Sequence, residues 1–320
     1  MIKSKFRSIW PLCLILLLAA CGGEQKNEPW QSSGTERKQN FSSGETTITL
    51  SDVDPDTPTD RMHKIRPLAN FIAAGLGWDS SRVKVRIARS VEEISVLLED
   101  GRVDIFVDSS YPNLLARRAS NSEVILEALV NGERRYQAFI LASSTGGMKI
   151  LEDLIDHKIA LQERYSTSGY LLPAAFLVEQ KLPLTFMPVQ DTRPPKGTIG
   201  FFFSGDEENT IAMIRNRKVA AGAVSSTDYE HLPNALKQEF VILAKTRHIP
   251  RKMATMRNGF DPELKLKIIN ILLSITDEDR RKMVSESGWN WEFITLDKES
   301  HAGMLAIDKM IDQISHLTSH

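Results

Sequence analysis

Three hydroxyl side chains stand in a row at Ser166, Thr167 and Ser168, directly before Gly169 and an apolar stretch of helical character. A helix begins with unpaired backbone N–H groups and the positive end of its dipole, and the hydroxyls add further donors. Gly169 lacks a Cβ, which predicts that a ligand can approach the backbone closely there. These features favour an uncharged binding site for phosphate-like oxygens. The alternative is that Ser166 or Ser168 only caps the helix.

Motifs of the common catalytic and metal sites are missing from the sequence, which contains no GxSxG, HExxH, P-loop or CxxC. The seven histidines are scattered. His316 and His320 have helical spacing but lie at the end of the chain, where fraying argues against a metal site. The chain is therefore predicted not to be an enzyme and to need no metal or cofactor.

The charge balance excludes one class of partner. Lys and Arg number 40 and Asp and Glu 41, which gives a formal net charge of −1. Nucleic acid is not expected as a partner, because a phosphate backbone requires a basic face.

The N-terminus carries an export signal. Residues 1–7 hold three basic residues and no acid, and residues 8–20 are almost wholly apolar but too short to span a bilayer comfortably. The following LAACG resembles a bacterial lipobox, in which Cys21 is lipidated; the alternative is an ordinary signal peptide with an incidental cysteine. The sequence thus predicts a lipoprotein signal peptide at 1–20, a flexible tether at 21–45 and anchoring in the cell envelope outside the cytoplasm.

Strands and helices alternate along the rest of the chain. Strands are predicted at 46–53, 83–88, 103–107, 124–130, 136–142, 158–162, 184–189, 199–203, 219–224, 241–244 and 252–257. Helices are predicted at 60–76, 90–99, 111–119, 150–155, up to about 180, and at 207–216, 261–274, 277–286 and 299–315. Two such blocks predict two α/β lobes, with ligand-binding residues after the carboxyl ends of strands.

Several segments, STSGYLLP among them, resemble the phosphate/phosphite/phosphonate-type periplasmic binding proteins of ABC transporters. The similarity keeps its order and spacing from about 46 to 290. It is carried by RPLANFI (66–72), VKVRIARSVEEISVLLEDGRVDI (83–105), ILEDLIDHKIALQE (150–163), GDEENTIAMIRNRKVAAGAVSSTDYE (205–230) and DPELKLKIINILLSI (261–275).

The resemblance implies a type 2 periplasmic-binding-protein fold. Each lobe is then a mostly parallel sheet flanked by helices, and two crossing strands near 136–142 and 240–246 form the hinge. Lobe I is expected at 46–138 plus 244–320 and lobe II at 139–243. A small anionic solute would bind between the lobes of a monomer, which would deliver it to an ABC permease. In the family, a Ser-Thr-Ser triplet binds the anionic head group of the solute. The resemblance implies the same role for residues 166–168.

Two segments depart from the family pattern. After the third strand, the family usually has a ligand-binding tyrosine. Tyr111 could supply this phenol, although strict alignment puts Asn113 at that position. Gly205-Asp206-Glu207 stands where the family has Gly-Ser-His. Either these acids face solvent, or the ligand carries a cationic group, or the family's ligand has been lost. The candidate ligand-binding residues are Ser109, Ser110, Tyr111, Ser166, Thr167, Ser168, Gly169, Asp206 and Ser226.

The acidic substitution also motivates a different class of function. A sensory or accessory lipoprotein could use the same fold to report on a ligand to a membrane kinase or cyclase. The sequence leaves this alternative open beside solute delivery.

Overall fold

The computed structural model describes residues 46–129, 131–188 and 192–318. The predicted signal peptide, Cys21 and the tether lie outside these ranges. Within the described residues, no helix combines the length and apolar character needed to cross a membrane. The same residues contain no group of three or more His, Cys, Asp or Glu side chains suited to a metal ion.

Fourteen strands occur within the described part of the chain. They are β1 Ile48–Val53, β2 Val83–Ala88, β3 Ile105–Ser109, β4 Glu123–Leu129, β5 Arg135–Tyr136, β6 Ala138–Ser143, β7 Lys158–Leu161, β8 Leu184–Phe186, β9 Ile199–Phe203, β10 Ala221–Ser225, β11 Phe240–Lys245, β12 Ile249–Pro250, β13 Lys252–Met256 and β14 Glu292–Ile294.

Ten α-helices accompany these strands. They are α1 Pro58–Leu76, α2 Val91–Glu99, α3 Ser110–Ser120, α4 Leu172–Glu179, α5 Glu207–Arg215, α6 Ser226–His231, α7 Asn234–Lys237, α8 Pro262–Leu273, α9 Asp277–Ser287 and α10 Lys298–Ile314. Short 3₁₀ turns lie at Ser80–Arg82 and Leu151–Leu154, and a π-helical turn, Thr167–Leu171, precedes α4.

The first lobe is built on a six-stranded sheet with the order β14-β4-β13-β3-β1-β2. β1 pairs in parallel with β2 and β3, whereas β13 pairs antiparallel with β3 and β4. The sheet is therefore mixed, because β13 and β14 are added after the chain has returned from the second lobe. α1 packs on this sheet through an apolar stripe, whose buried members include Ile65, Leu68 and Ile72.

The second lobe has its own six-stranded sheet, with the order β11-β6-β10-β7-β9-β8. The strands β10, β7, β9 and β8 run in parallel, and β6 and β11 lie antiparallel at one edge. Because β7 and β10 are parallel, their carboxyl ends point to the same edge of the sheet. The loops that follow them are brought together there.

The chain crosses between the lobes at β5 and β12, which pair antiparallel with Tyr136 opposite Ile249 and Arg135 opposite Pro250. The predicted crossing strand near 136–142 begins at β5 but continues as β6 in the second sheet, and the one near 240–246 is β11 of that sheet and ends before β12. The crossing itself is thus shorter than the sequence pattern indicates. The short elements β14, α6 and α7 are absent from the sequence prediction, because each offers too few residues for a periodic pattern.

Helix α10 contacts both lobes. It packs against α3 in the first lobe, α4 in the second and β12 at the crossing. Gly303 makes the last contact possible, since a Cβ at that position would lie 2.4 Å from the Cδ of Pro250. The C-terminal helix therefore supports the region where the chain changes lobes.

Candidate functional site

A cavity of about 360 Å³ lies between segments of both lobes, at the carboxyl ends of their parallel strands. The first lobe contributes loops after β1 and β3, and the second lobe contributes loops after β7 and β10. Its lining is polar or charged at most positions, and consists of Val53, Pro55, Arg61, Arg89, Asp108, Ser109, Pro112, Tyr136, Gln162, Glu163, Tyr165, Ser166, Thr167, Ser168, Ser225, Asp228, Arg251 and Lys252. The chemistry of this lining suits a small, highly polar ligand.

The Ser-Thr-Ser segment forms one wall of the cavity. Ser166 caps the π-helical turn: its Oγ accepts from the Gly169 N–H at 2.9 Å and donates to Gln162 Oε1 at 3.0 Å. Thr167 Oγ1 accepts from the backbone N–H of Tyr111 at 3.1 Å, across the boundary between the lobes. The segment thus caps a helix and faces the cavity at once, so the two readings of the sequence do not exclude each other.

Tyr136 extends this wall from the crossing strand β5. Its hydroxyl lies beside the side chains of Thr167 and Ser168. Burial raises the pKa of Tyr136 to about 12, although the nearby Arg251 charge and these two hydroxyl side chains oppose the shift. Tyr136 is therefore a neutral phenol that connects the hydroxyl segment to the crossing.

Four of the nine candidate ligand-binding residues line the cavity: Ser109, Ser166, Thr167 and Ser168. The other five do not. Two of these are engaged in the protein interior. The Tyr111 side chain is buried, and its ring centroid lies 6.4 Å from that of Tyr170. Ser110 Oγ donates to the Pro250 carbonyl at 2.5 Å.

The remaining three candidates are displaced from the cavity by local structure. A Cβ on Gly169 would lie only 2.4 Å from the Gln162 side chain. The glycine therefore makes room for internal packing and not for the ligand. Ser226 Oγ accepts from the Gln137 N–H at 3.2 Å. Asp206 is exposed and caps α5, with Oδ1 accepting from the Asn209 N–H at 2.6 Å.

Asn113, which strict alignment puts in place of the family's tyrosine, is fully buried in the first lobe. Its Nδ2 donates to the Met253 carbonyl at 2.8 Å, and its Oδ1 accepts from Thr255. The amide therefore has a structural role beneath the sheet.

Four cations in the lining were not predicted from the sequence: Arg61, Arg89, Arg251 and Lys252. Arg61 lies in the first turn of α1, and Arg251 and Lys252 lie where β12 meets β13. The only sequence signal was the Arg251-Lys252 pair at the start of the strand predicted at 252–257, and charged doublets of this kind are usually solvated.

Two of these cations are balanced by buried acids. Arg61 contacts Asp54 at 3.0 Å and Asp52 at 3.4 Å, and Lys252 Nζ lies 3.8 Å from Asp52 and 4.0 Å from Asp108. Burial and the adjacent Asp52 charge raise the pKa of Asp108. Asp54 also caps the turn before α1 by accepting from the Thr57 N–H at 2.7 Å. This network fixes the first lobe's side of the cavity.

Glu207 behaves differently from its neighbour Asp206. Its side chain turns inward, where Oε2 accepts from Gln162 Nε2 at 3.4 Å and the carboxyl lies beside Asp228. Burial, together with Asp228, raises the pKa of Glu207 to about 10. At neutral pH the carboxyl is protonated and adds no negative charge near the cavity. The acidic substitution is therefore compatible with an anionic ligand.

The proton on Glu207 predicts a pH dependence of stability. Unfolding returns Glu207 to an ordinary pKa near 4.5, so the folded state holds one more proton between about pH 4.5 and 10. This contribution is fully present below pH 4.5 and is lost as the pH rises. We expect the wild-type free energy of unfolding to fall by about 1.4 kcal/mol per pH unit between pH 6 and 9 from this group.

The comparison variant Glu207→Gln, which stays neutral, should lose that slope in urea titrations at each pH. Glu208→Gln, which removes the exposed neighbouring carboxylate, serves as the control and should keep it. Equal slopes in the wild-type protein and Glu207→Gln would contradict a protonated Glu207.

The chain matches the profile of a known protein family. Residues 53–301 match the profile described as the periplasmic substrate-binding protein of the phosphonate ABC transporter. This range covers more than three quarters of the chain and includes every residue that lines the cavity.

Solved structures with the same fold include XAC2383 from Xanthomonas citri bound to chloride ion, with a TM-score of 0.78 at 23% identity over 85% of this chain and 99% of that chain. The same protein bound to ATP gives 0.78 at 22% identity over 86% and 100%. PhnD1 from Prochlorococcus marinus in complex with methylphosphonate gives 0.63 at 14% identity over 84% and 98%. These similarities establish the two-lobed fold.

Proposed function

Because this chain belongs to the periplasmic substrate-binding proteins of phosphonate ABC transporters, we propose that it captures phosphate, phosphite or a phosphonate between its lobes and delivers it to an ABC permease. One observation carries the choice of ligand. The hydroxyls of Ser166, Thr167 and Ser168 share a cavity with four cationic side chains, which is a lining suited to a phosphorus oxyanion. Ser109 adds a fourth hydroxyl from the first lobe.

The ligands of the structural neighbours are consistent with this choice. The methylphosphonate bound by PhnD1 and the ATP bound by XAC2383 both present phosphorus oxyanions. The cavity volume of about 360 Å³ favours a ligand of the smaller kind.

The proposal includes an arrangement in the cell envelope. Cys21 carries a lipid, residues 21–45 tether the fold, and the lobes are divided as 46–138 plus 244–320 and 139–243. The tether lets the binding protein reach a permease in the same envelope while the anchor raises its local concentration. Solute occupancy shifts the lobes toward the closed state, and the permease reads that state.

The first test is a ligand screen by thermal unfolding, followed by circular dichroism, with phosphate, phosphite, methylphosphonate, aminoethylphosphonate and sulfate. A ligand at 100 times its Kd adds about 2.7 kcal/mol to the free energy of unfolding. For a protein of this size that is a rise in Tm of about 5 °C. A rise with a phosphorus oxyanion supports the proposal, and a response to aminoethylphosphonate alone shows that the ligand must also carry a cation.

The same screen also bears on the choice between solute delivery and sensing. If none of these ligands raises the Tm, capture of a phosphorus oxyanion is wrong for this chain. The sensory alternative, in which the fold reports to a membrane kinase or cyclase, would then be favoured.

A further inference from the structure

Arg251 lies where the two lobes and the crossing strands meet. It follows β12 directly, and its Nη1 donates to Glu133 Oε2 at 2.6 Å and to Thr227 Oγ1 at 2.8 Å. Glu133 belongs to the connection between β4 and β5, whereas Thr227 lies in α6 of the second lobe. The Thr227 hydroxyl in turn donates to Glu133 Oε2 at 2.5 Å. These three side chains form a closed hydrogen-bonded triangle that ties α6 to the crossing.

The same guanidinium is joined to the hydroxyl wall of the cavity. Its Cζ stands 4.9 Å from the centroid of the Tyr136 ring. A cation over a tyrosine face is held by the ring quadrupole. The Tyr136 hydroxyl lies beside the side chains of Thr167 and Ser168, so this one residue lies next to both Arg251 and the hydroxyl segment.

Arg251 also retains an unused donor. Its Nε is buried and has no hydrogen-bond partner among the residues that the structure describes, although the residue lines the cavity. A buried N–H without an acceptor is unfavourable, and an ionised acceptor would satisfy it strongly. Arg61 differs in this respect, because its Nε donates to Asp54 Oδ2 at 3.0 Å.

We propose that Arg251 is a ligand-binding residue that couples occupancy to lobe closure. Its Nε–H donates to an oxygen of the bound phosphorus oxyanion, while Nη1 holds Thr227 of the second lobe against Glu133. The inference rests on the proposed function and adds to it the residue through which a bound oxyanion keeps α6 in place. It also accounts for the position of Tyr136, which lies next to both the Arg251 guanidinium and the hydroxyl segment.

The test compares oxyanion affinity in the full chain, purified in detergent, by isothermal titration calorimetry with phosphate and methylphosphonate. We expect Arg251→Gln to raise the Kd at least 100-fold. Arg251→Lys keeps a positive charge but has no Nε–H and no planar fork, so it should raise the Kd at least tenfold. Arg247→Gln removes an exposed cation from the same segment outside the cavity and should change the Kd less than twofold.

A second readout separates ligand contact from a merely structural role. In the wild-type chain, saturating phosphate should slow amide hydrogen exchange in α6, 226–231, at least fivefold. Arg251→Lys at saturating phosphate should show no such protection. Thr227→Val keeps the Nε–H but loses the contact to α6; it should weaken binding less than Arg251→Lys and also lose the protection. Circular dichroism of each variant confirms that it is folded.

The outcomes distinguish this inference from the function on which it rests. If the wild-type chain binds neither of these two oxyanions nor the phosphite and aminoethylphosphonate of the thermal screen, the proposed function fails and the inference fails with it. If the wild-type chain binds and Arg251→Lys binds equally well with equal protection of α6, the inference alone is wrong. A loss of affinity in Arg247→Gln as large as that in Arg251→Gln would show a general charge effect and would also overturn it.

Discussion

The double variant Ser166→Ala/Thr167→Ala is expected to bind its phosphorus oxyanion about 100-fold more weakly than the wild-type protein. A hydrogen bond to a charged group contributes about 1.5–3 kcal/mol, and two lost bonds at the lower end correspond to about 3 kcal/mol. Both hydroxyls face the cavity from the start of one helix, and Thr167 is almost fully buried. Water therefore cannot easily replace the lost donors.

The affinity should be measured by isothermal titration calorimetry with the oxyanion that gives the largest rise in Tm. The matched control is Thr198→Ala/Ser274→Ala, which removes one hydroxyl of each type outside the cavity. Its hydroxyls bond only to local carbonyls, of Pro195 and Ile271, so its Kd should stay within twofold of the wild-type value. An unchanged Kd in the Ser166→Ala/Thr167→Ala variant would contradict the assignment of this segment to the ligand.

A decrease in stability of about 3–5 kcal/mol is expected for Trp291→Ala. Trp291 is fully buried in the core of the first lobe, where its ring stacks on Phe293 at a centroid distance of 6.2 Å and meets the edge of Trp289 at 5.5 Å. Truncation leaves a cavity as well as losing apolar burial. For a protein of this size the Tm should fall by about 8 °C.

Urea titration followed by circular dichroism measures this loss, and Trp289→Ala is the matched control. Trp289 is only partly buried and its ring is bordered by Arg61, Lys64 and Lys252 at 5.0–5.5 Å, so its truncation should cost less than half as much. A loss below about 1 kcal/mol for Trp291→Ala would show that the core of the first lobe closes around the gap.

Delivery of a small anion places particular demands on the two lobes. The second lobe supplies hydroxyls on a helix start, and the first lobe supplies Arg61 and Lys252, which are held by buried carboxylates. Balanced cations of this kind orient an anion without binding it irreversibly, because part of their charge is already neutralised. The arrangement suits a protein that must also release its ligand to a permease.

Local features of the chain were readable from the sequence because they depend on neighbours only a few residues away. The β-branched, alternating runs predicted strands such as β1 and β9, and helical spacing predicted α1 and α10. The helix predicted from Ser90 onward begins at that residue, whose Oγ caps α2 by accepting from the Glu93 N–H at 3.2 Å. The position of Ser166–Ser168 at the start of a helix followed from the same kind of local signal.

The cations of the cavity could not be predicted from the sequence, because they come from distant parts of the chain. Arg61 and Arg251 are separated by nearly two hundred residues, and only the return of the chain through β12 into the first sheet brings them to one cavity. A composition of 40 basic and 41 acidic residues gives no hint of this concentration. Sheet topology, which depends on contacts distant in the chain, decides which charges meet.

Side-chain direction and burial were likewise decided by the tertiary structure. Asp206 and Glu207 are adjacent acids in the sequence, yet one is an exposed cap and the other is partly buried beside Asp228. Tyr111 and Gly169, which the sequence offered to the ligand, are used for packing because Tyr170 and Gln162 occupy the space beside them. The sequence by itself determined most of the longer elements, the two-lobed fold and the position of the hydroxyl segment at a helix start. Only the tertiary structure decided which charges face the ligand, because desolvation and distance act on atoms that the sequence does not place next to each other.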